Sequence, residues 1–557
     1  MMKKIQQIKG LVLLILAAFF VNSCNIEEEV LDEITADQVE TISASDAIQL
    51  IAPAYAVMRE MLQRDGVWGV NQHSSDETLG PTRGSDWDDN GIWRQLHTHT
   101  WDANHTFIRL AWEDLNQGVS RSNGALNTFI NQIPGIDANL IAEARVLRSL
   151  FMFYIMDMFG QVPFREIDEI DFSVSGRVLT RAEAFEFIRT ELEESIADLL
   201  NETEVPYGRL TKNAARTLLV VLNLNHEVYL DQKVDARYTD AVNFATDVIG
   251  SAAYTLAPAE DYFGMFANDN TETRAQGEGI IVATFVNDLD LGEDNVSMIT
   301  QTLHYNQRFG GGDGNNDGHL DFSAWNGFTT IADFYNRWDQ NDPRFRAESE
   351  ITAANASTVS ENNPYVFNGI NRGFLQGQQF DGQGRYVLHR VSSSDNGQVA
   401  VADPADANTP LLNFTVDLSL TGNTESNGVR VLKYAPDPNA PVITRTDNDF
   451  ILWRYSDVYL MRAEAQFRLD GGGQADLDAV RTARNMTSIP ISEDALLDER
   501  GFELYWEGHR RRDLIRFGRF TDAYTLKDAS PAFRTLFPVP QSAIDSDPLL
   551  DPTLGNQ

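Results

Sequence analysis

Residues 138–159, ANLIAEARVLRSLFMFYIMDMF, show a strong helical period. Their apolar side chains recur at steps of three and four residues, and the members of this stripe are Leu140, Ala144, Leu147, Leu150, Phe151, Tyr154 and Met158. Such a stripe covers one face of an α-helix and must be buried against a neighbouring element. The stretch therefore predicts a long helix that packs against other helices.

The same period occurs on both sides of this stretch. Residues 104–130 repeat it upstream, and Thr180 with Glu183 three residues later predicts a capping box that opens a helix to about Leu200. Further helices are predicted at 211–230, 238–250, 451–469, 475–486 and 493–506. Paired helices of this length with short connectors predict a mainly α protein built as a helical-repeat scaffold.

The middle of the chain has a different composition. Residues 251–450 are rich in Gly, Asn, Asp and Thr, with short β-like runs at 279–283 and 429–432. A loop-rich insertion between helices is where binding surfaces usually lie. We expect one domain over 41–557, in which the helices of 451–557 rejoin those of 41–250.

The N-terminus resembles a lipoprotein leader. A basic start and an apolar run at 11–21 precede Cys24, the only cysteine of the chain, and eleven apolar residues are too few to span a bilayer. We expect a signal peptide at 1–23, a lipid anchor on Cys24 and an acidic tether over 24–40. An ordinary secretory signal, with Cys24 there by chance, is the alternative.

The charge of the chain excludes one class of partner. The formal net charge is −38, so the protein repels phosphate backbones and nucleic-acid binding is not expected. The same negative charge repels polyanionic glycans, unless a local basic pocket outweighs it. With Cys24 lipidated, no thiol remains for catalysis or a disulfide.

Several blocks, in order, resemble the SusD/RagB family of outer-membrane nutrient-binding lipoproteins. They are the helix from Trp112 to Asn123, the blocks 143–163, 208–215, 454–465 and 499–514, and FPVP at 537–540, which is similar to the family's closing strand. The resemblance implies a tetratricopeptide-like scaffold, binding without catalysis and a SusC-like TonB-dependent transporter as partner. It also implies attachment to the outer membrane at the cell surface.

The charged residues in these blocks allow two interpretations. Buried charges on apolar helices must be paired, because an unpaired buried charge is costly. The residues concerned are Glu143, Arg145, Arg148, Glu464, Glu499, Arg500 and Arg510. A carboxylate pair could instead serve a glycosidase. We favour the first interpretation, since these acids lie within helical patterns rather than in aromatic loops.

A sugar ligand requires aromatic planes for its CH faces and polar groups for its hydroxyls. Aromatic side chains in polar loops are the candidates for stacking, namely Trp87, Trp325, Tyr305 and Trp93. The candidates for hydroxyl contacts are Asp76, Arg83, Gln307 and Asn326. The alternative is that each aromatic plugs the core from a loop, and Trp101 and Trp112 are expected to be core residues.

One further motif has the start of a calcium loop. Asp313, Asn315, Asp317 and Asp321 lie at positions 1, 3, 5 and 9, with Gly318 at position 6. Position 12 is Ala324 where a bidentate Glu is expected, so the match is incomplete. A glycine-rich hairpin is the alternative to a structural Ca²⁺ site. No cofactor is required by the expected function.

The sequence thus predicts a surface lipoprotein that captures a poly- or oligosaccharide and delivers it to a SusC-like transporter. Two other classes remain open: a peptide-binding lid of the same family, and a surface glycoside hydrolase. The acidic balance favours a neutral glucan or fructan over an anionic polymer.

Overall fold

The structure is a computed structural model. It describes residues 47–169, 176–271, 273, 277–285, 301–309, 322–348, 350–363, 365, 369–382, 384–389, 411–435 and 448–556.

Helices form the scaffold. They are α1 (Ala52–Glu60), α2 (Val67–His73), α3 (Ile92–Thr98), α4 (Thr106–Asn131), α5 (Ala138–Phe159), α6 (Arg181–Ser195), α7 (Lys212–Leu224), α8 (His226–Leu230), α9 (Asp235–Gly250), α10 (Ala332–Tyr335), α11 (Ala356–Asn362), α12 (Tyr455–Asp470), α13 (Gln474–Ala483), α14 (Glu493–Leu504), α15 (Arg510–Arg516) and α16 (Gln541–Ser546). In the described part of the chain, no helix is long and apolar enough to cross a membrane.

The strands are short and pair in twos, all antiparallel. The pairs are β1 (Thr78–Leu79) with β7 (Thr329–Thr330), β2 (Gln161–Phe164) with β3 (Arg177–Thr180), β4 (Gly279–Ala283) with β12 (Phe450–Arg454), β5 (Arg308–Phe309) with β6 (Phe322–Ser323), β8 (Gly373–Leu375) with β11 (Arg430–Leu432), and β9 (Gly377–Gln378) with β10 (Asn413–Phe414). Of these described pairs, five include a strand of the middle region, and the β2–β3 pair follows α5 directly.

Neighbouring helices pack side by side along most of the chain. The order is α4 on α5, α5 on α6, α6 on α7, α7 on α9, and α9 on α12, which in turn packs on α13 and α14. The mainly α, tetratricopeptide-like scaffold is therefore confirmed. The α9–α12 contact joins helices that are separated in sequence by the whole loop-rich insertion.

The structure confirms the helix ends that the sequence predicts for α5 and the helix start that it predicts for α6. Helix α5 has the predicted bounds, with the Asp137 side chain accepting from the Asn139 N–H and Gly160 in the left-handed region (φ 73°) after its last residue. The capping box of Thr180 and Glu183 is present at the start of α6. Trp101 and Trp112 are buried, as predicted.

Three local predictions are wrong. The helix predicted over 211–230 breaks at Asn225, which separates α7 from α8. Residues 451–454 belong to strand β12 rather than to the next helix, because they pair with β4. Residues 537–540 form no strand, since the Phe537 N–H makes a single backbone hydrogen bond to the Met158 carbonyl (2.8 Å).

Two glycines of α4 differ in what surrounds them. A Cβ on Gly118 would lie 2.5 Å from the Phe151 ring of α5, whereas a Cβ on Gly124 would meet no atom within 4 Å. Gly118 therefore permits the close approach of α4 and α5.

We expect Gly118→Ala to lower the free energy of unfolding by about 1–3 kcal/mol through overpacking. Gly124→Ala should instead raise it by about 0.5–1 kcal/mol, because alanine loses less backbone entropy on folding. Urea unfolding of both variants tests the pair. Equal effects of the two substitutions would contradict the packing role of Gly118.

The charged residues of the helical blocks are paired inside the protein. Glu143 accepts from Arg209, Arg148 binds Glu191, Glu464 binds Arg516, and Arg500 lies between Asp457 and Asp513 at 2.7 and 2.8 Å. Arg145 makes longer contacts with Glu191 and Glu194. The interpretation of the predicted residues as paired charges is confirmed, and Arg145 is the one among them that is only half-buried.

The largest of these networks surrounds Glu503 of α14. Its carboxylate accepts from Arg344, Arg454 and Arg484 at 2.8, 2.6 and 2.5 Å. The same cations also contact other acids, and the network is completed by Asp342, Glu278, Glu499, Glu507, Lys433 and Arg481. This set, called the Glu503 cluster below, joins α14 to the residue before β4, to the end of β12 and to the segment after α10.

Candidate ligand-binding cavity

A cavity of about 1080 Å³ lies between the segment after β1 and the segment before β7. Its lining combines aromatic and polar side chains. They are Arg64, Asp65, Asp86, Trp87, Asp89, Asn90, Ile92, Trp93, Gln95, Asp102, Asn104, His105, Thr106, Phe107, Tyr305, Ala324 and Trp325. We call residues 80–93 the arch, because this loop supplies most of one wall.

Pairing of β1 with β7 brings the two walls together. Thr78 is opposite Thr330 and Leu79 is opposite Thr329, so the arch begins beside the segment that carries Trp325. Arg83 then holds the arch from behind, since its guanidinium donates to the carbonyls of Thr424 (2.8 Å) and Asn427 (2.7 Å). The arch is thus connected to two distant parts of the chain, the β7 segment and the segment around Thr424.

Trp87 is held in an unusual backbone conformation. Its φ is 61°, in the left-handed region that a bulky residue rarely adopts. Its indole Nε1–H donates to the Trp325 carbonyl at 2.9 Å, and its ring packs on Gly327, where a Cβ would collide with it. Strain of this kind persists where the surroundings enforce it, often at functional sites.

Trp93 forms the floor of the cavity. It is 2% exposed, its ring contacts those of Trp87 (5.6 Å), Phe107 (4.6 Å) and Phe328 (5.1 Å), and its indole donates to Asp89 at 2.8 Å. The interaction with Asp89 depends on a sharp turn of the backbone over residues 89–91, all with positive φ. Trp93 therefore supports the cavity more than it presents a free face.

Tyr305 reaches the cavity from a turn between His304 and Gln307. The Gln307 N–H donates to the His304 carbonyl (2.9 Å), and the Tyr305 hydroxyl donates to the Asp86 carboxylate of the arch. His304 itself is buried against Glu425 at 2.7 Å. Burial lowers the pKa of His304 to about 4 in spite of that carboxylate, so the imidazole is neutral at pH 7.

Trp325 is the most exposed aromatic in the cavity. Its side chain is 45% exposed, and the Arg64 guanidinium lies over its ring at 5.1 Å from the ring centre. The next residue, Asn326, has a φ of 54° and accepts a hydrogen bond from Arg430 at 2.7 Å. Asn326 thereby orients the backbone so that Trp325 points outward.

The structure brings the four predicted aromatics together, since Trp87, Trp93, Tyr305 and Trp325 all line one cavity. The four predicted polar residues do not line this cavity. Asp76, Arg83, Gln307 and Asn326 are buried outside the lining and are occupied by protein groups. A buried polar group needs hydrogen bonds, and each of these four residues makes at least one within the protein.

Two of these polar residues hold the loops in place. Asp76 accepts from Arg510 of α15 at 2.7 and 2.9 Å, which fixes the segment before β1 to the C-terminal helices. Gln307 accepts from the His304 N–H (3.0 Å) and donates to Gln379 (3.1 Å), which fixes the turn that carries Tyr305. Both thus hold segments that lead to the cavity.

The polar groups that do line the cavity were missed from the sequence. Arg64 and Asp65 lie in the connector between α1 and α2, and Asp102 and Asn104 lie in the connector between α3 and α4. In the sequence, each of these two connectors is a short polar stretch near the arch. Connectors of that composition are common, so they do not by themselves indicate a binding site.

Two predictions fall outside the described residues. The first is the lipid anchor on Cys24, together with the signal peptide and tether at 1–40. The second is the calcium loop of Asp313, Asn315, Asp317 and Asp321. Both stay predictions.

Two family models match successive parts of the chain. The model described as the SusD family matches residues 264–533, and the model described as starch-binding associating with outer membrane matches residues 30–223. The chain belongs to the SusD family. The two matches cover both the scaffold and the loops that form the cavity.

Individual SusD-family members are similar over most of their length. The starch-binding protein SusD of Bacteroides thetaiotaomicron is 28% identical over 504 residues, which are 86% of this chain and 83% of that protein. The SusD-like protein P38 of Formosa agariphila is 21% identical, over 92% of each.

Solved structures share the fold. The surface glycan-binding protein A from Bacteroides thetaiotaomicron in complex with laminarihexaose has a TM-score of 0.63 at 20% identity, over 91% of this chain and 98% of that one. A laminarin binding SusD-like protein has a TM-score of 0.64 at 20% identity, over 90% and 97%. These relatives are carbohydrate-binding proteins by their names.

Proposed function

We propose that this protein is a non-catalytic glycan-binding lipoprotein of the cell surface. It captures a poly- or oligosaccharide in the aromatic cavity and delivers it to a SusC-like TonB-dependent transporter. Lipid on Cys24 holds it at the outer membrane. The starch- and laminarin-binding relatives support this class of ligand, and the family description that mentions the outer membrane supports the location.

The arrangement of Trp87, Tyr305 and Trp325 around one cavity carries the proposal. Sugar rings present apolar CH faces that stack on aromatic planes, while their hydroxyls need hydrogen-bond partners. Asp65, Gln95, Asn104 and Asn90 lie in the same lining and supply such partners. A volume of about 1080 Å³ at the open surface suits several sugar units of a longer chain.

Absence of catalysis is part of the proposal. The acids of the helical blocks, such as Glu143, Glu464 and Glu499, are enclosed in ion pairs with arginines. They are therefore not free to act as a general acid or a nucleophile on a substrate in the cavity.

Binding of residues 25–557 to starch, laminarin, inulin, alginate and a set of oligopeptides tests the proposal. Affinity electrophoresis and calorimetry should give saturable binding to at least one glycan and none to the peptides. Binding of peptides alone would move the protein to the peptide-capturing type of lid. Release of reducing ends from a bound polysaccharide would instead establish a glycoside hydrolase.

A further inference from the structure

The cavity is lined by more negative than positive groups. Four carboxylates line it, from Asp65, Asp86, Asp89 and Asp102, whereas Arg64 is the one arginine or lysine in its lining as described. The Arg64 guanidinium is already engaged over the Trp325 ring at 5.1 Å. His105 adds no charge, because burial lowers its pKa.

The arginines nearest the arch do not face the cavity. The Arg83 guanidinium is turned inward against the carbonyls of Thr424, Asn427 and Gly327. Arg94 is paired with Asp88 at 3.0 Å, outside the lining. Neither cation is placed to offset the carboxylates of the cavity.

The wall behind Asp65 carries further acids. Asp114 of α4 has its pKa raised to about 7 by burial and by the nearby carboxylates of Glu60, Asp65 and Glu113. Burial is the largest cause of this shift and the three carboxylates add to it, so the wall behind Asp65 brings several acids close together.

We propose that the cavity selects uncharged glycans and rejects glycans that carry carboxylate or sulfate groups. This inference rests on the proposed function. The carboxylates of the cavity accept hydrogen bonds from sugar hydroxyls, and such charge-assisted bonds are strong. A ligand carboxylate placed in the same partly desolvated space is repelled by each of them, most strongly at low salt.

A pair of ligands that differ only in charge gives the sharpest test. Laminarihexaose is compared by calorimetry with the same hexaose whose primary alcohols have been oxidised to carboxylates, beside the neutral polymers starch, laminarin and inulin and the anionic polymers alginate, polygalacturonate and carrageenan. We expect the anionic forms to bind at least about tenfold more weakly at low salt. The gap should narrow at about 0.5 M NaCl.

Two matched double variants separate the cavity from the overall charge. Asp65→Asn with Asp102→Asn removes two charges from the lining and leaves the aromatic residues untouched. Asp168→Asn with Asp198→Asn removes two charges from exposed residues outside it. Only the first pair should bring the anionic ligands closer to the neutral ones in affinity.

Each outcome is decisive. Anionic glycans that bind as tightly as neutral ones would overturn the inference and leave the proposed function intact. An equal effect of the two double variants would also overturn it, because the overall charge would then be the cause. Failure to bind any glycan in the panel would overturn the proposed function, and the inference with it.

Discussion

Glu503→Gln is expected to lower the free energy of unfolding by about 3–5 kcal/mol, the cost of breaking a buried ion pair. The Glu503 carboxylate accepts from three buried guanidinium groups, those of Arg344, Arg454 and Arg484. Glutamine keeps the shape of the side chain but leaves these cations with too little negative charge. Chemical denaturation followed by circular dichroism measures the loss.

Glu493→Gln is the matched control for this substitution. Glu493 lies on the same helix, α14, but it is exposed in the first turn. Its loss should cost no more than about 1 kcal/mol, the interaction of one exposed charge with the helix end. A similarly small loss for Glu503→Gln would show that the Glu503 cluster contributes little to stability.

The difference between wild type and Glu503→Gln should depend on pH in a defined direction. The three arginines hold the pKa of Glu503 well below its ordinary value of 4.5. A lowered pKa in the folded state contributes stability that is fully present above pH 4.5 and is lost as the pH falls through the folded value. The stability difference between the two proteins should therefore begin to shrink as the pH falls below about 4.5, and it should vanish only below the folded pKa of Glu503.

Trp325→Ala is expected to weaken glycan binding by about 1–3 kcal/mol, on the analogy of a stacked base. That change corresponds to a loss of affinity of about 5- to 150-fold. Stability should change by less than about 0.5 kcal/mol, because the side chain is 45% exposed and its truncation opens no core cavity. Calorimetry with the bound glycan, beside thermal unfolding, measures both.

Leu549→Ala is the control for a lost exposed apolar side chain. Leu549 is 53% exposed and lies outside the cavity lining, so glycan affinity should be unchanged. Trp87→Ala should reduce both affinity and stability, since the Trp87 ring packs on Gly327 and supports the arch. Unchanged affinity in Trp325→Ala would remove that ring from the binding site.

Local features of the fold could be predicted from the sequence because their causes are local. The bounds of α5 follow from an apolar stripe, an Asp before it and a Gly after it. The failure at 451–454 has a different cause. Those residues are buried as a strand because β4, about 170 positions upstream by their pairing, supplies the hydrogen bonds.

The same distinction applies to the charged residues and to the cavity. The need to pair arginines and glutamates within apolar helices follows from the sequence, because an isolated buried charge is too costly. The sequence also places aromatic residues in polar loops. The pairing of Asp76 with Arg510, 434 positions away, and the place of Asp65 and Asp102 in the cavity lining depend on the folded chain. A loop's composition does not state which side chains turn inward, since a buried hydrogen bond to a distant segment satisfies a polar group as well as water does.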